Sequence, residues 1–345
     1  MEDHDGWITR DDLASFSVEI DDDPPHVAYR GHDVFGCGPW CQGPVTLQTL
    51  SILEGYDLKR FEPGSADTIH LILEALKAAF SDREQYVGDP NFVDVPMDGL
   101  LHPAYAEEWR TRINLATASP GMPDPGNPWT YMDREVPVNA RQPQAFAGPV
   151  EPDTSHLCVV DSEGNAMSAT PSDGFGGTPV IPGLGFTVSG RGVQSWLDAG
   201  HPSEMAPGKR PRLTPNPGLV LKDGEVFAPY GTPGNDTQPQ AMVQFLVNLL
   251  DYGMNPQEAV EAPRVATYSF PRSTHPHPYT PGLTYLESRL SSDVIDDLRR
   301  RGHNIELWPE FAAPAGSICA VVCDRQRGFI TGAADPRRLA YAAGW

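Results

Sequence analysis

The segment whose residues most clearly promise chemistry is Gly231-Thr-Pro-Gly-Asn-Asp236, which reads as a turn between a strand and a long helix. Backbone N–H groups at such a helix start point at whatever lies above them, which suits an anion or a developing oxyanion. Two other glycine-rich runs, Gly174-Phe-Gly-Gly177 and Gly183-Leu-Gly-Phe186, carry neither the Lys-Ser/Thr of a phosphate loop nor a strand-to-helix G-x-G-x-x-G, and read as tight turns. Five cysteines, at 37, 41, 158, 319 and 323, cannot all pair within the chain. Two pairs have C-x3-C spacing, which invites a metal, but a structural zinc site wants four convergent thiolate or imidazole ligands. Cys319 and Cys323 lie in an apolar run that reads as a buried strand, so core thiols are expected. His275 and His277, in His-Pro-His-Pro, read as a surface loop rather than a ligand pair. No metal is expected.

The elements that must position these groups follow from periodicity and punctuation. Apolar residues from Ala66 to Asp82 recur at helical spacing, with Asp67 as cap and Gly88-Asp-Pro as stop. A second helix is expected from Pro44 to Leu53, ending at Gly55. A Pro- and Gly-rich stretch then runs from about 120 to 152, and such stretches are usually functional or mobile. From Ser155 the character changes. Ser155–Asp161 and Ala166–Thr170 form a hairpin over Glu163-Gly-Asn165. Gly218–Lys222 and Glu225–Pro229 form another over Asp223-Gly224. Helices are expected at 238–252, 255–262 and 291–301, and strands at 318–322 and 328–331. The sum is an α+β layered chain.

Composition narrows the partners. The 345 residues carry 46 acidic and 25 basic groups, a formal charge of −21. Nucleic acid and anionic membranes would be repelled. No apolar run is long enough to span a bilayer, and the first residues, Met-Glu-Asp-His-Asp-Gly, have neither the basic nor the apolar stretch of an export signal. The expectation is a soluble protein of the cytoplasm.

The order of the motifs carries a resemblance. Asp153-Thr-Ser-His156, Val159-Val-Asp-Ser-Glu-Gly-Asn165 and Ser168-Ala-Thr170 are followed by Ala206-Pro-Gly-Lys-Arg-Pro211, Gly231-Thr-Pro-Gly234, Asp251–Arg264 and Asp335-Pro-Arg337. In this order they resemble the small subunit of the gamma-glutamyltransferase family. Gly6–Leu13 and Ala79–Phe92 are similar to the end of its large subunit. The resemblance implies an N-terminal-nucleophile hydrolase with a four-layer αββα sandwich, cut by itself between Asp153 and Thr154 into segments 1–153 and 154–345. Thr154 would then be the nucleophile. A threonine hydroxyl needs an adjacent base, and the freed α-amine, with a reference pKa of ~7.7–8, supplies one near neutral pH. Ser172 falls on the family's second, supporting Thr. Gly234 and Asn235 fall on its Gly-Gly oxyanion pair; backbone N–H donors survive a Gly-to-Asn change provided Asn adopts the same φ/ψ, and Asn tolerates the left-handed region better than most residues. No metal or organic cofactor is implied.

The head-group reader departs from the pattern. The family's Asp is Gln194 here, in Arg191-Gly-Val-Gln194. A supporting Asn falls on Asp173 or Gly174, and a Ser-Ser pair becomes Leu213-Thr214. Asp173, Arg191, Gln194 and Thr214 are thus the expected substrate-binding residues, for an acyl group other than a plain γ-glutamyl or for glutamyl compounds recognised loosely. Family members also carry a further large-subunit half, so either a separate partner chain supplies it or the chain is a shortened product. Three functions are expected to compete: an autoprocessing acyl hydrolase or transferase acting on a small amide or peptide-like substrate; a related enzyme of a natural-product pathway cleaving a C–C or amide bond; and a subunit whose Thr154 is never freed.

Overall fold

The computed structural model describes residues 8–138, 140–141, 143–145, 154–173, 180–325 and 327–345. Asp153 and Gly174, and with Gly174 the whole Gly174–Gly177 run, fall outside that set. In chain order the elements are α1 (Arg10–Ser15), β1 (His26–Tyr29), β2 (His32–Phe35), α2 (Gly43–Glu54), α3 (Ala66–Tyr86), α4 (Met97–Leu100) and α5 (Pro103–Arg112). There follow β3 (Leu157–Val160), β4 (Ala166–Ala169), β5 (Gly218–Lys222), β6 (Glu225–Gly231), α6 (Gln238–Leu246), α7 (Pro256–Glu261), β7 (Val265–Thr267), β8 (Leu283–Glu287), α8 (Ser292–Arg300), β9 (Asn304–Trp308), β10 (Cys319–Asp324) and β11 (Phe329–Ala334).

Six strands form one antiparallel sheet in the order β1-β2-β5-β6-β10-β11. It draws strands from both sides of the Asp153–Thr154 bond, so the two segments share one core. Helices α2 and α6 cover one face, with α3 and α5 packed on α2, and Leu47, Leu50, Leu76, Phe80 and Phe245 share one core with Val34, Val220, Tyr230 and Ala320. The β3–β4 hairpin lies over the other face, where Ser168 Oγ donates to the Tyr230 carbonyl at 3.0 Å. Its outer side leaves Leu157, Val159 and Met167 about half exposed. A separate sheet, β7-β8-β9, packs with α8 beside α3.

Local chemistry explains the turns. Asp223 and Gly224 both have positive φ, 52° and 78°, as a two-residue hairpin of this handedness requires. At the β3–β4 turn, the Asp161 carboxylate accepts from the Glu163 and Asn165 backbone N–H groups, both at 2.9 Å. Three expectations need correction. The N-cap of α3 is Ser65, whose hydroxyl accepts from Thr68 N; Asp67 sits inside the first turn and pairs with Arg301 at 2.6 Å. The helix after Gln238 is α-helical only to Leu246 and continues as a π-turn over Val247–Asp251. His277 is buried rather than on a surface loop: it stacks on Trp196 at 3.9 Å, and His201 stacks on Trp196 at 4.0 Å.

Candidate active site

Thr154 stands just before β3, and the Ser155 N–H donates to the Pro171 carbonyl at 3.0 Å, which brings the start of β3 beside the segment after β4. That pairing sets Thr154 Oγ1 2.7 Å from Ser172 Oγ. Arg191, in a 3-10 turn over Arg191–Gln194, donates from Nε to the Ser172 carbonyl at 2.9 Å and from Nη2 to Ser172 Oγ. Its Nη1 reaches Thr214 Oγ1 at 3.4 Å.

The turn after β6 supplies the next group. Gly234 has φ 131° and Asn235 φ 51°, both in the left-handed half of backbone space. Asn is among the few residues with a side chain that enter that region at low cost. Thr214 Oγ1 donates to Asn235 Oδ1 at 3.2 Å, and Gln42 Nε2 donates to the carbonyls of Thr214 and Asn235 at 3.3 and 3.4 Å. Thr154, Ser172, Arg191, Thr214 and Asn235 are therefore one hydrogen-bonded constellation.

Gln194 and Thr214 are buried and satisfy each other: Gln194 Nε2 donates to Thr214 Oγ1 at 3.1 Å, and the Thr214 N–H donates to Gln194 Oε1 at 3.3 Å. Asp173 is exposed and accepts from the Gly190 N–H at 3.2 Å.

A second tier beneath the turn escaped the sequence reading. Arg83, buried on α3, donates from Nη1 to Asp236 Oδ1 at 2.6 Å and to Gln42 Oε1 at 2.7 Å, and from Nη2 to the Pro271 carbonyl. The Ser273 N–H and hydroxyl also donate to the Asp236 carboxylate, at 2.9 and 2.6 Å. Asp236 follows Asn235 directly, so α3 ties down the turn. The available signal was a cluster of charges, Asp82-Arg83-Glu84, inside an otherwise apolar helix.

His156, two residues after Thr154, packs beneath the start of β3. Its Nδ1 lies 2.9 Å from Thr170 Oγ1, and burial pulls its pKa down to about 4, so it is neutral near pH 7. Its ring fills the space over Gly231, where an added Cβ would come within 2.4 Å.

The five cysteines are free thiols, with Cys41 and Cys323 buried. Among the described residues one group has the donors for a metal: His70, Glu74 and His303, all buried. The fit is poor. The Lys77 ammonium sits 2.7 Å from Glu74, the second Glu74 oxygen accepts from the Ser119 N–H, and His70 Nδ1 meets His303 Nε2 at 2.9 Å. A cation would have to displace this network beside an existing positive charge. Among the described residues no helix is long and apolar enough to cross a membrane.

Comparison with known proteins gives the family and the fold. The chain is 33% identical to the glutathione hydrolase-like YwrD proenzyme of Bacillus subtilis, over 92% of this chain and 54% of that protein. It superposes on the structure of LmbA2991HD with TM-score 0.86 at 36% identity, covering 96% of this chain and 57% of that one. On the cephalosporin acylase of Bacillus halodurans it superposes with TM-score 0.82 at 30% identity, covering 100% and 56%. The chain thus spans about half the length of the curated relatives it matches. The α+β, N-terminal-nucleophile-hydrolase type of fold expected from the motifs holds. Residues 1–345 match the gamma-glutamyltranspeptidase family, and the chain belongs to that family.

Proposed function

We propose that this chain carries the nucleophile of an autoprocessing acyl hydrolase or transferase. In this reading Thr154 attacks the Asp153 carbonyl carbon. The Oγ–C bond forms, the Asp153–Thr154 C–N bond breaks with a proton passing to the departing nitrogen, and water hydrolyses the resulting ester. The freed Thr154 then uses its own α-amine as base to take the acyl group of an external amide, and water or an amine resolves the acyl-enzyme. Backbone N–H groups of Gly234 and Asn235 hold the oxyanion at each stage. The observation that carries the reading is the 2.7 Å contact of Thr154 Oγ1 with Ser172 Oγ inside the hydrogen-bonded set that reaches Asn235.

The acyl group is not a tightly read glutamyl zwitterion. Gln194 and Thr214, at two of the expected reading positions, are buried against each other instead of facing a ligand. The likeness to a cephalosporin acylase supports the broader acyl-amide class. Arg191 and Asp173 line the same neighbourhood and shape what enters. The exposed apolar side of β3–β4, with Leu157, Val159 and Met167, is where a further chain segment or a separate partner chain packs. An apolar strand face of this kind in water is a binding surface or an aggregation liability.

The test is intact mass with N-terminal sequencing of purified protein, followed by a panel of acyl anilides that includes the γ-glutamyl compound. Two fragments, one beginning Thr154-Ser-His, are expected from the native chain, and a single piece from Thr154→Ala. Thr154→Ala cleaved at the same bond would sink the nucleophile assignment. A strong preference for the γ-glutamyl anilide over simple acyl anilides would sink the substrate class.

A further inference from the structure

Taken alone, the contact between Thr154 Oγ1 and Ser172 Oγ has no direction, because either hydroxyl could donate. Arg191 biases the direction. A guanidinium has donors and no acceptor, so where Arg191 Nη2 meets Ser172 Oγ the serine oxygen accepts. Nε of the same guanidinium takes the Ser172 carbonyl oxygen at 2.9 Å, so one planar fork grips both the backbone and the side chain of Ser172. A hydroxyl oxygen has two lone pairs, so the second could still accept; the cation lying on this oxygen turns the serine proton away from itself, and Thr154 Oγ1 stands 2.7 Å away.

We propose that Arg191 is a positioning residue for the nucleophile: its fork on Ser172 holds that hydroxyl in place and favours the orientation in which it donates to Thr154 Oγ1. This rests on the reading of Thr154 as nucleophile, and it gives Arg191 a task other than contact with the acyl group. The chemistry follows from the proton count. Thr154 Oγ1 gives up its own proton as it attacks, to the departing nitrogen in self-cleavage or to the α-amine afterwards. The Ser172 proton remains on Ser172 and points at the oxygen on which negative charge develops. Hydrogen bonding to the charged form of a group lowers its pKa. A donor that itself accepts from a cation is a stronger donor, since hydrogen bonds involving an ion are about twice as strong as neutral ones. Reversal of the bond would make Thr154 the donor and tie up the proton that it must lose.

The readout is the first-order rate of self-cleavage at the Asp153–Thr154 bond in the full chain, followed by intact mass from pH 5 to 9. Arg191→Gln and Ser172→Ala are each expected to slow it about 10- to 100-fold, at or below the loss seen when one preorganised donor is removed. The double variant should fall within about threefold of the slower single, because Arg191 acts through Ser172. Arg191→Lys, which keeps the cation but not the fork, should fall between Arg191→Gln and the native rate, and it guards against a simple folding defect.

Arg191→Gln cleaving within twofold of native, or effects that multiply in the double variant, would each overturn the assignment. Those results leave the nucleophile reading standing as long as cleavage still needs Thr154. A native chain that stays whole, or Thr154→Ala that is still cut, overturns both.

Discussion

At the scale of single residues, the turn after β6 is shaped by what each position must tolerate. Gly234 adopts φ 131°, a region close to glycine-only, and Asn235 at φ 51° sits where a short polar side chain is accepted. A β-branched residue at position 235 would add roughly 1–3 kcal/mol of backbone strain. It would also forfeit the acceptor for Thr214 Oγ1. Asn235→Val should therefore lower the melting temperature and slow self-cleavage about tenfold or more, while Asn235→Gly keeps the conformation and stays within a few-fold of native. Equal rates for the two variants would show that the backbone at 235 does not hold the oxyanion. Tolerance of Asn at a left-handed position was legible in the sequence, because it depends on one residue type. The burial of His277 was not, because it depends on Trp196, far away in the chain, offering a ring to stack on.

Among the elements, α3 departs furthest from what its pattern suggests. Its apolar spacing identifies a helix correctly, yet Glu74, Lys77, Asp82, Arg83 and Glu84 are buried along with the leucines. The helix lies between the sheet-covering helices and the β7–β8–β9 module, so nearly all of it is shielded from water. Each charge is answered in place: Lys77 by Glu74 at 2.7 Å, Arg83 by Glu84 at 2.8 Å and Asp236 at 2.6 Å, and Glu84 by Arg212 at 2.7 Å. The motif residues Arg264, Asp335 and Arg337 do the same with Glu287, where Arg337 grips the carboxylate through Nε and Nη2 at 2.7 and 2.8 Å. Removing one member of a buried pair strands the other, at a cost of about 3–5 kcal/mol. Arg83→Met should accordingly destabilise the fold by about that much in urea unfolding, and slow self-cleavage even when measured well below its new melting point, because Asp236 loses the cation that anchors the turn. A variant of native stability would show that Asp236 is held by Ser273 alone. Hairpins with Asp-Gly turns and helices with apolar periodicity were readable, since both are local. β1 and β2 were missed although they pair over Arg30-Gly31, because Arg is not a residue that signals a left-handed turn; β7, β8 and β9 and the charge pairs were not readable because they take their meaning from partners farther along the chain.

For the molecule as a whole, buried histidines set the response to acid. Burial lowers His156 and His201 to about 4 and, together with the nearby Lys77, His70 and Arg301 charges, takes His303 to about 2. His32, His70 and His277 are lowered as well, each first by burial. A group whose folded pKa lies below its unfolded value contributes stability above the unfolded pKa, here about 6.5, and loses it as pH falls toward the folded value. At ~1.4 kcal/mol per pKa unit, His156 and His201 would each withdraw about 3 kcal/mol by the acid end of that window. Glu84, held below the ordinary carboxylate range by Arg212 and Arg83 against the cost of burial, adds to the loss below about pH 4.5. Asp82 works the other way. Burial lifts it to about 6 although Tyr105, Gln48, Trp109 and the Gly126 N–H all donate to it. Its contribution is fully present only below its unfolded pKa near 3.8, and is lost as pH rises through 6. One carboxyl with a shift of about two units cannot offset several histidines with shifts as large. The urea midpoint should fall steadily from pH 7 to pH 4, with most of the drop between pH 6.5 and 4, and His201→Gln should flatten that slope. A midpoint that holds or rises over the same interval would mean that Asp82 dominates and that the histidines titrate in contact with water.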